Sequence, residues 1–316
     1  MPRSSVTAPP VGALLRRYED PGEPLSCERV SEGLLNRGYR LSTTRGAYFL
    51  KHHLDGDREV IARQHRATQR LQALGVPVAP PVADAHGETV AVIGDRCYAL
   101  HPWVEGRHRD GAQLSSRQSR RLGSLLGLVH TCLERVMHQA EPPTIPRPRS
   151  RPHDTFDTLA EHRLLERRAL LERYADRRPP PAKAGGWVHG DFHPLNLLYR
   201  GTEPAAIVDW DRLGVQPRAE EAVRAAAIFF LRPAGVLELP KVRAYARAYR
   251  RAAGADAGEM AAAVHRVWWE RLNDFWILRW RYQLHDRRAD PQFAAVSALV
   301  VWWTREYEAV HAAFTA

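Results

Sequence analysis

The feature that most constrains this chain is a set of polar groups held between short apolar segments. It reads Val188-His189-Gly190-Asp191-Phe192-His193-Pro194-Leu195-Asn196-Leu197-Leu198, followed by Ala206-Ile207-Val208-Asp209-Trp210. Asp191 and Asn196 stand five residues apart on a loop, an apolar strand follows, and a turn reverses it. A second apolar strand then delivers Asp209, 18 residues after Asp191. Short apolar strands on both sides hold such loops in place. An amide oxygen and a carboxylate suit a magnesium ion, which takes a few protein oxygens and fills the rest of its shell with phosphate oxygens and water. A further carboxylate that orients a hydroxyl and accepts its proton completes the inventory of phosphoryl transfer.

A metal hydrolase would use part of the same segment differently, with His189, Asp191 and His193 as zinc ligands. Two histidines at i and i+4 share a metal when they lie on one helix. Gly190 and Pro194 argue against a helix here.

The rest of the chain supplies a setting. Residues from about Leu25 to Val104 read mostly as strands: Tyr39–Thr43 and Ala47–His52 joined by the turn Thr44-Arg45-Gly46, and two more near Thr89–Ile93 and Arg96–Trp103. A helix from about Asp55 to Leu74 interrupts them and ends at Gly75 and Pro77. Ser115 is placed to cap a helix running to about Gln139, and a further helix covers 156–176. Proline-rich breaks at Glu141–Pro152 and Arg177–Gly186 bracket that helix as surface loops, and from Glu220 onward the pattern is helical and rich in tryptophan. Strands first and helices afterwards predict an α+β protein with two lobes, a small β-rich one over 1–103 and a larger helical one over 104–316.

Composition excludes several classes. No stretch of about 18 uncharged apolar residues exists to span a membrane, and the N-terminus has no apolar signal region. Three scattered cysteines read as cytosolic thiols, so the expected location is cytoplasmic. The net charge of +10 raises the question of nucleic acid, but arginines are spread along the chain among Glu and Asp, which reads as a solvated helical surface. No nucleic-acid or membrane partner is expected. Lysine occurs only at Lys51, Lys183 and Lys241, so Lys51, at the end of the alternating segment Tyr48-Phe49-Leu50-Lys51, stands out.

HGDFHPLNLL and IVDW resemble the paired motifs of the aminoglycoside phosphotransferase family, in the kinase-like clan with choline kinases, fructosamine kinases and one type of homoserine kinase. The resemblance follows the order of elements from about Glu28 to Ala227. It implies a two-lobed protein-kinase-like fold and an ATP- and magnesium-dependent transfer of a phosphoryl group to a hydroxyl of a small molecule. It makes Asp191 the catalytic base, Asn196 and Asp209 the magnesium ligands, His189 a structural brace of the loop, and Lys51 the partner of the ATP phosphates. The loop from Gly33 through Asn36 to Gly38 would cover those phosphates. The carbonyl of Pro102 and the amide of Val104 would meet the adenine edge. Trp210-Asp211 stands where protein kinases have Phe-Gly. The family's helix glutamate, partner of the strand lysine, is replaced by Gln64; either Gln64 accepts a hydrogen bond from Lys51 or Glu59 serves instead. That departure keeps open a second reading, a nucleotide-binding pseudokinase without turnover.

The stretch Trp268–Trp280 reads as one helix with Trp269, Asn273, Trp276 and Trp280 along one face and Glu270 and Asp274 beside it. Core packing accounts for such a stripe. The sharper expectation is that Glu270 and Asp274, together with Asp211, border a pocket for a polyhydroxylated or cationic acceptor, an aminoglycoside-like or other natural-product antibiotic first and a small metabolite such as homoserine or choline second.

Overall fold

Along Gly46–His53 the side chains alternate between two environments, and that alternation organises the N-terminal part of the chain. The computed structural model describes residues 8–30, 36–54, 57–137, 155–180 and 185–316. In chain order the elements are α1 (Val11–Leu15), β1 (Pro24–Val30), β2 (Arg37–Thr43), β3 (Gly46–His53), α2 (Arg58–Ala73), β4 (Ala91–Ile93), β5 (Arg96–Pro102), α3 (Ser116–Val136), α4 (Thr155–Arg173) and β6 (Gly186–Val188). There follow β7 (Leu197–Arg200), β8 (Glu203–Ile207), β9 (Gly214–Gln216), α5 (Arg218–Phe229), α6 (Leu239–Ala253), α7 (Ala257–Asn273), α8 (Trp276–Gln283), α9 (Phe293–Arg305) and α10 (Tyr307–Thr315). This is the α+β, protein-kinase-like fold expected from the sequence. Much of the loop around Gly33 and the proline-rich segment after Glu141 lie outside the described residues.

The chain forms two compact units. The first comprises Met1–Arg107 together with Leu197–Asp211. Its antiparallel sheet has the order β1-β2-β3-β5-β4. Because side chains alternate across a strand, Leu50 enters a core with Leu41, Tyr98, Leu100 and Leu14 of α1. Its neighbours Lys51 and His53 point to the opposite face, where α2 contributes His65 at 6.1 Å from the His53 ring. The division differs from a single boundary at 103/104, because the β7–β8 hairpin is tied into the first unit. Ile207 N–H donates to Pro77 O at 2.8 Å, and Tyr199 and Arg107 exchange two backbone hydrogen bonds at 2.9 Å.

The second unit comprises His108–Asn196 and Arg212–Ala316. Ser115 caps α3 as expected, its Oγ accepting from Gln118 N–H while the Gln118 side chain accepts from Ser115 N–H. Helices α3 and α6 approach closely at Gly123, where a Cβ would fall 2.1 Å from the Tyr245 carbonyl oxygen. Phe229, Phe230, Tyr245, Tyr249 and Trp268 fill the core.

One element departs from expectation. The helix predicted through Trp268–Trp280 is broken at Asp274 and Phe275, so Trp269 and Trp280 do not share a helical face. Asp274 is extended, with φ −92° and ψ 114°. Its carboxylate accepts from Trp276 N–H at 3.1 Å, and its carbonyl oxygen accepts from the buried Arg167 guanidinium. A short polar side chain that bonds nearby main chain favours such a break.

The first unit also buries a histidine cluster. Burial pushes His53 down to about 2, His65 to about 3 and His101 to about 4, the cationic Lys51 adding to the effect on each. The Nε2 atoms of His53 and His101 are buried without hydrogen-bond partners among the described residues. The folded values lie below the unfolded value of about 6.5, so the unfolded chain binds more protons between them. Stability contributed by neutral burial is complete above pH about 6.5 and is lost as pH falls toward the folded values, by up to roughly 1.4 kcal/mol per pH unit for each ring. Chemical denaturation between pH 7.5 and 5 should show a steep loss of stability, and His101→Gln should flatten the profile.

Candidate active site

In the first unit the alternation of β3 places Lys51 on the α2 side of the sheet, where its ammonium meets two carboxylates. Lys51 Nζ donates to Asp209 Oδ1 at 2.9 Å and to Asp211 Oδ1 at 2.7 Å. Burial alone would lower the Lys51 pKa; the charges of Asp209 and Asp211 outweigh it, and the value is raised. Burial, with Asp209 close by, pushes the Asp211 carboxyl up against the pull of Lys51. Asp209 adopts the left-handed region at φ 60°, and the indole of Trp210 donates to Ile207 O at 3.1 Å, which fixes the turn leaving β8.

Gln64 reaches this cluster but does not bond Lys51 in the way expected. Its Nε2 donates to the Asp211 carbonyl oxygen at 2.9 Å, an acceptor that an amide satisfies and a carboxylate would repel. Glu59 is exposed on the outer surface of α2 and takes no part. Asn36 donates to Asp211 Oδ2 and accepts from Leu54 N–H at 3.0 Å, so it ties the start of β2 to the same residue. Asp211, expected beside the acceptor, is thus bound up with Lys51. At the end of β5, Pro102 pairs in register with Tyr48, and Trp103 N–H donates to Ala47 O at 3.2 Å. Among the described residues Val104 N–H donates to no backbone carbonyl.

In the second unit the loop after β6 is held from behind by a buried carboxylate. Glu221 accepts from Gly190 N–H, from His189 N–H at 3.3 Å and from His130 Nε2 at 2.6 Å. His130 Nδ1 in turn lies 3.1 Å from the Tyr249 hydroxyl. Burial would raise the Glu221 pKa, but its bond to His130 and the loop amides hold it low. Gly190 has φ +85°, and a Cβ there would sit 2.1 Å from Arg212 O, so only glycine fits. His189 is fully buried, and its Nδ1 accepts from Asp191 N–H at 3.2 Å. Asn196 Nδ2 donates to Asp191 O at 2.8 Å, which leaves its amide oxygen as the remaining polar group.

These contacts fix the main chain around Asp191 and leave its carboxylate to other side chains. His193 Nε2 lies 3.6 Å and Arg212 Nε 3.8 Å from Asp191 Oδ2. Burial works against ionisation, yet His193 and Arg212 hold the Asp191 carboxyl below its usual range. It is therefore a carboxylate at neutral pH.

The other two acidic residues expected at an acceptor pocket, Glu270 and Asp274, also have structural partners. Glu270 pairs with Arg224 at 2.9 Å, and the Asp274 carboxylate accepts from Trp276 N–H at 3.1 Å. Glu221, His130 and Arg212 were not singled out from the sequence. For Glu221 and His130 the signal was a titratable residue set within an apolar helical stripe, as His130 is among Leu126, Val129 and Leu133; Arg212 lies in the turn before β9 and carried none.

The profile of the phosphotransferase enzyme family (APH) matches residues 26–255. The chain belongs to that family. It is accordingly an ATP-dependent phosphotransferase that acts on a small-molecule hydroxyl, and nucleotide and divalent-metal binding go with that activity. A homoserine kinase of Zymomonas mobilis is 24% identical over 219 residues, 66% of each chain. One from Methylobacillus flagellatus is 22% identical over 82% of each chain. Among solved structures, amicoumacin kinase in complex with AMP-PNP, Ca2+ and Ami has a TM-score of 0.64 at 18% identity, covering 94% of this chain and 92% of that one. Spectinomycin phosphotransferase in complex with ADP and spectinomycin has a TM-score of 0.59 at 13% identity, with 95% and 97% covered. No helix among the described residues is long and apolar enough to cross a membrane.

The Glu221 network generates a stability prediction. Glu221→Ala would leave two loop amides and His130 without their acceptor, at about 1–3 kcal/mol for each unsatisfied buried group. Thermal denaturation should register a loss of at least about 3 kcal/mol, together with reduced turnover. A change within about 0.5 kcal/mol, the range of ordinary surface substitutions, would show that the loop is held by other means.

Proposed function

We propose that the chain transfers the γ-phosphoryl group of magnesium-ATP directly to a hydroxyl of a small metabolite of the homoserine type. The observation that carries this reading is the partly exposed carboxylate of Asp191, beside His193 and Arg212, on a loop whose main chain is fixed by Glu221 and Asn196. Asp191 orients the acceptor hydroxyl and takes its proton as the oxygen attacks the γ-phosphorus, and ADP leaves with the electrons of the broken P–O bond. Lys51 meets the ATP phosphates. Pro102 O and Val104 N–H meet the adenine edge, a role supported by the Val104 amide having no backbone acceptor among the described residues. His189 braces the loop.

Asn196 and Asp209 fit magnesium by donor chemistry. Asn196 directs its amide nitrogen to Asp191 O and keeps an oxygen for a metal, and Asp209 is a carboxylate whose side chain is 47% exposed. When bound, the ion offsets negative charge on the phosphates.

The acceptor assignment rests on charge as well as on the curated relatives. Arg212 stands beside Asp191, and Glu270 is paired with Arg224, an arrangement that suits an acceptor with a carboxylate of its own better than a polycation. A natural-product antibiotic is the second reading, supported by the spectinomycin and amicoumacin enzymes among structures of like fold. Release of ADP measured with homoserine, amino alcohols and spectinomycin, with mass spectrometry of the product, decides between them.

Asp191→Asn should lower kcat by roughly 10²- to 10⁴-fold while the Kd for AMP-PNP changes little. Retention of more than half the wild-type kcat would remove Asp191 from the role of base. Asp209→Ala should raise the magnesium concentration needed for half-maximal rate, and an unaltered titration at normal rate would remove it from the ligand set.

A further inference from the structure

Helix α2 brings no charge to Lys51. The α2 side chain that hydrogen-bonds the Asp211 segment is Gln64, whose amide nitrogen donates to the main-chain oxygen of Asp211 at 2.9 Å. The negative charge comes from the segment after β8. Asp211 Oδ1 lies 2.7 Å from Lys51 Nζ, its Oδ2 accepts from Asn36, and its carbonyl oxygen accepts from Gln64. All three of its acceptor atoms are thus engaged by side chains from β3, the start of β2 and α2. Asp209, two residues earlier, touches the same ammonium at 2.9 Å but leaves 47% of its side chain exposed, against 25% for Asp211.

From this geometry we infer that Asp211 is the counter-ion that positions Lys51, so that the lysine's ionic partner sits on the loop after β8 and helix α2 engages that loop through a neutral amide. The inference deepens the proposed function, since it rests on Lys51 meeting the ATP phosphates. One ammonium and two carboxylates leave one negative charge over. Asp209, the more exposed of the two, would be the one to hold a divalent cation, and Lys51 would then keep its alignment through Asp211. A carboxylate on α2 would be a third acid around one lysine and would face the Asp211 carbonyl, so glutamine at position 64 and aspartate at position 211 form a matched pair. Asp211 is here a positioning residue that acts on nucleotide through Lys51.

The test moves the charge back. AMP-PNP affinity in excess magnesium, KM for ATP and KM for the acceptor are measured for wild type, Lys51→Ala, Asp211→Asn, Gln64→Glu and the double variant Gln64→Glu/Asp211→Asn, with thermal midpoints as the check on folding. Asp211→Asn should weaken nucleotide binding by about tenfold or more, the scale of breaking a partly buried charge pair, and leave acceptor KM within about twofold. Gln64→Glu should also weaken it, by crowding three carboxylates around Lys51. The double variant should recover affinity beyond either single variant, a non-additivity that a merely structural role would not produce. If Lys51→Ala impairs nucleotide binding while Asp211→Asn does not, the counter-ion assignment is wrong and the proposed function stands. A folded double variant no better than the worse single variant also overturns the assignment. Nucleotide affinity unchanged in Lys51→Ala would overturn the assignment together with the proposed role of Lys51.

Discussion

A lysine turned onto the covered face of a sheet has to be met by negative charge, and much of the first unit follows from that requirement. With Leu50 in the core, strand alternation leaves Lys51 on the side of α2, where only 11% of its side chain is exposed. An ammonium removed from water at such a site shifts its pKa downward unless carboxylates compensate. The compensating residues, Asp209 and Asp211, lie about 160 positions later in the chain. The β7–β8 hairpin that presents them is accordingly built into the first unit through backbone bonds to Pro77 and Arg107. The electrostatic requirement of one strand residue and the discontinuous boundary of the unit belong together.

The loop bearing Asp191 is stabilised by a different device. Its amides are held by Glu221, a carboxylate whose own charge is supported by His130 deep in the helical unit. A carboxylate that accepts several N–H bonds is favoured in its charged form despite burial. The loop can therefore be rigid without using the Asp191 side chain as a strut, and the Asp191 carboxylate is left to His193 and Arg212. Under the proposed function, fixing the main chain separately from the Asp191 carboxylate is what preorganisation requires, since catalysis depends on position.

The fold and the central motifs were legible in the sequence because they depend on local pattern. Alternation at 48–51, the turn at Gly46, the Ser115 cap and the spacing of Asp191, Asn196 and Asp209 are all visible within short windows. What was not legible depends on partners distant in the chain. The break at Asp274 is sealed by Arg167, 107 positions away, and a helical pattern carries no mark of such a contact. The place of Gln64 was readable but its partner was not, because the acceptor is a main-chain oxygen and leaves no trace in residue identity. Glu221 and His130, 91 positions apart, are each unremarkable beside their neighbours and become informative only as a pair.

The two carboxylate systems differ in how their charge is met within the protein, and that difference gives the substitution at position 64 its physical sense. Glu221 has amides and a histidine as partners, so its interactions are complete within the protein. Asp209 and Asp211 share one lysine, and the excess negative charge is an unfavourable arrangement. A further carboxylate on α2 would add repulsion there. An amide in its place keeps α2 attached to the same loop without adding charge. The alignment of helix and loop is thereby separated from the charge balance at Lys51, which Asp209 and Asp211 set between them.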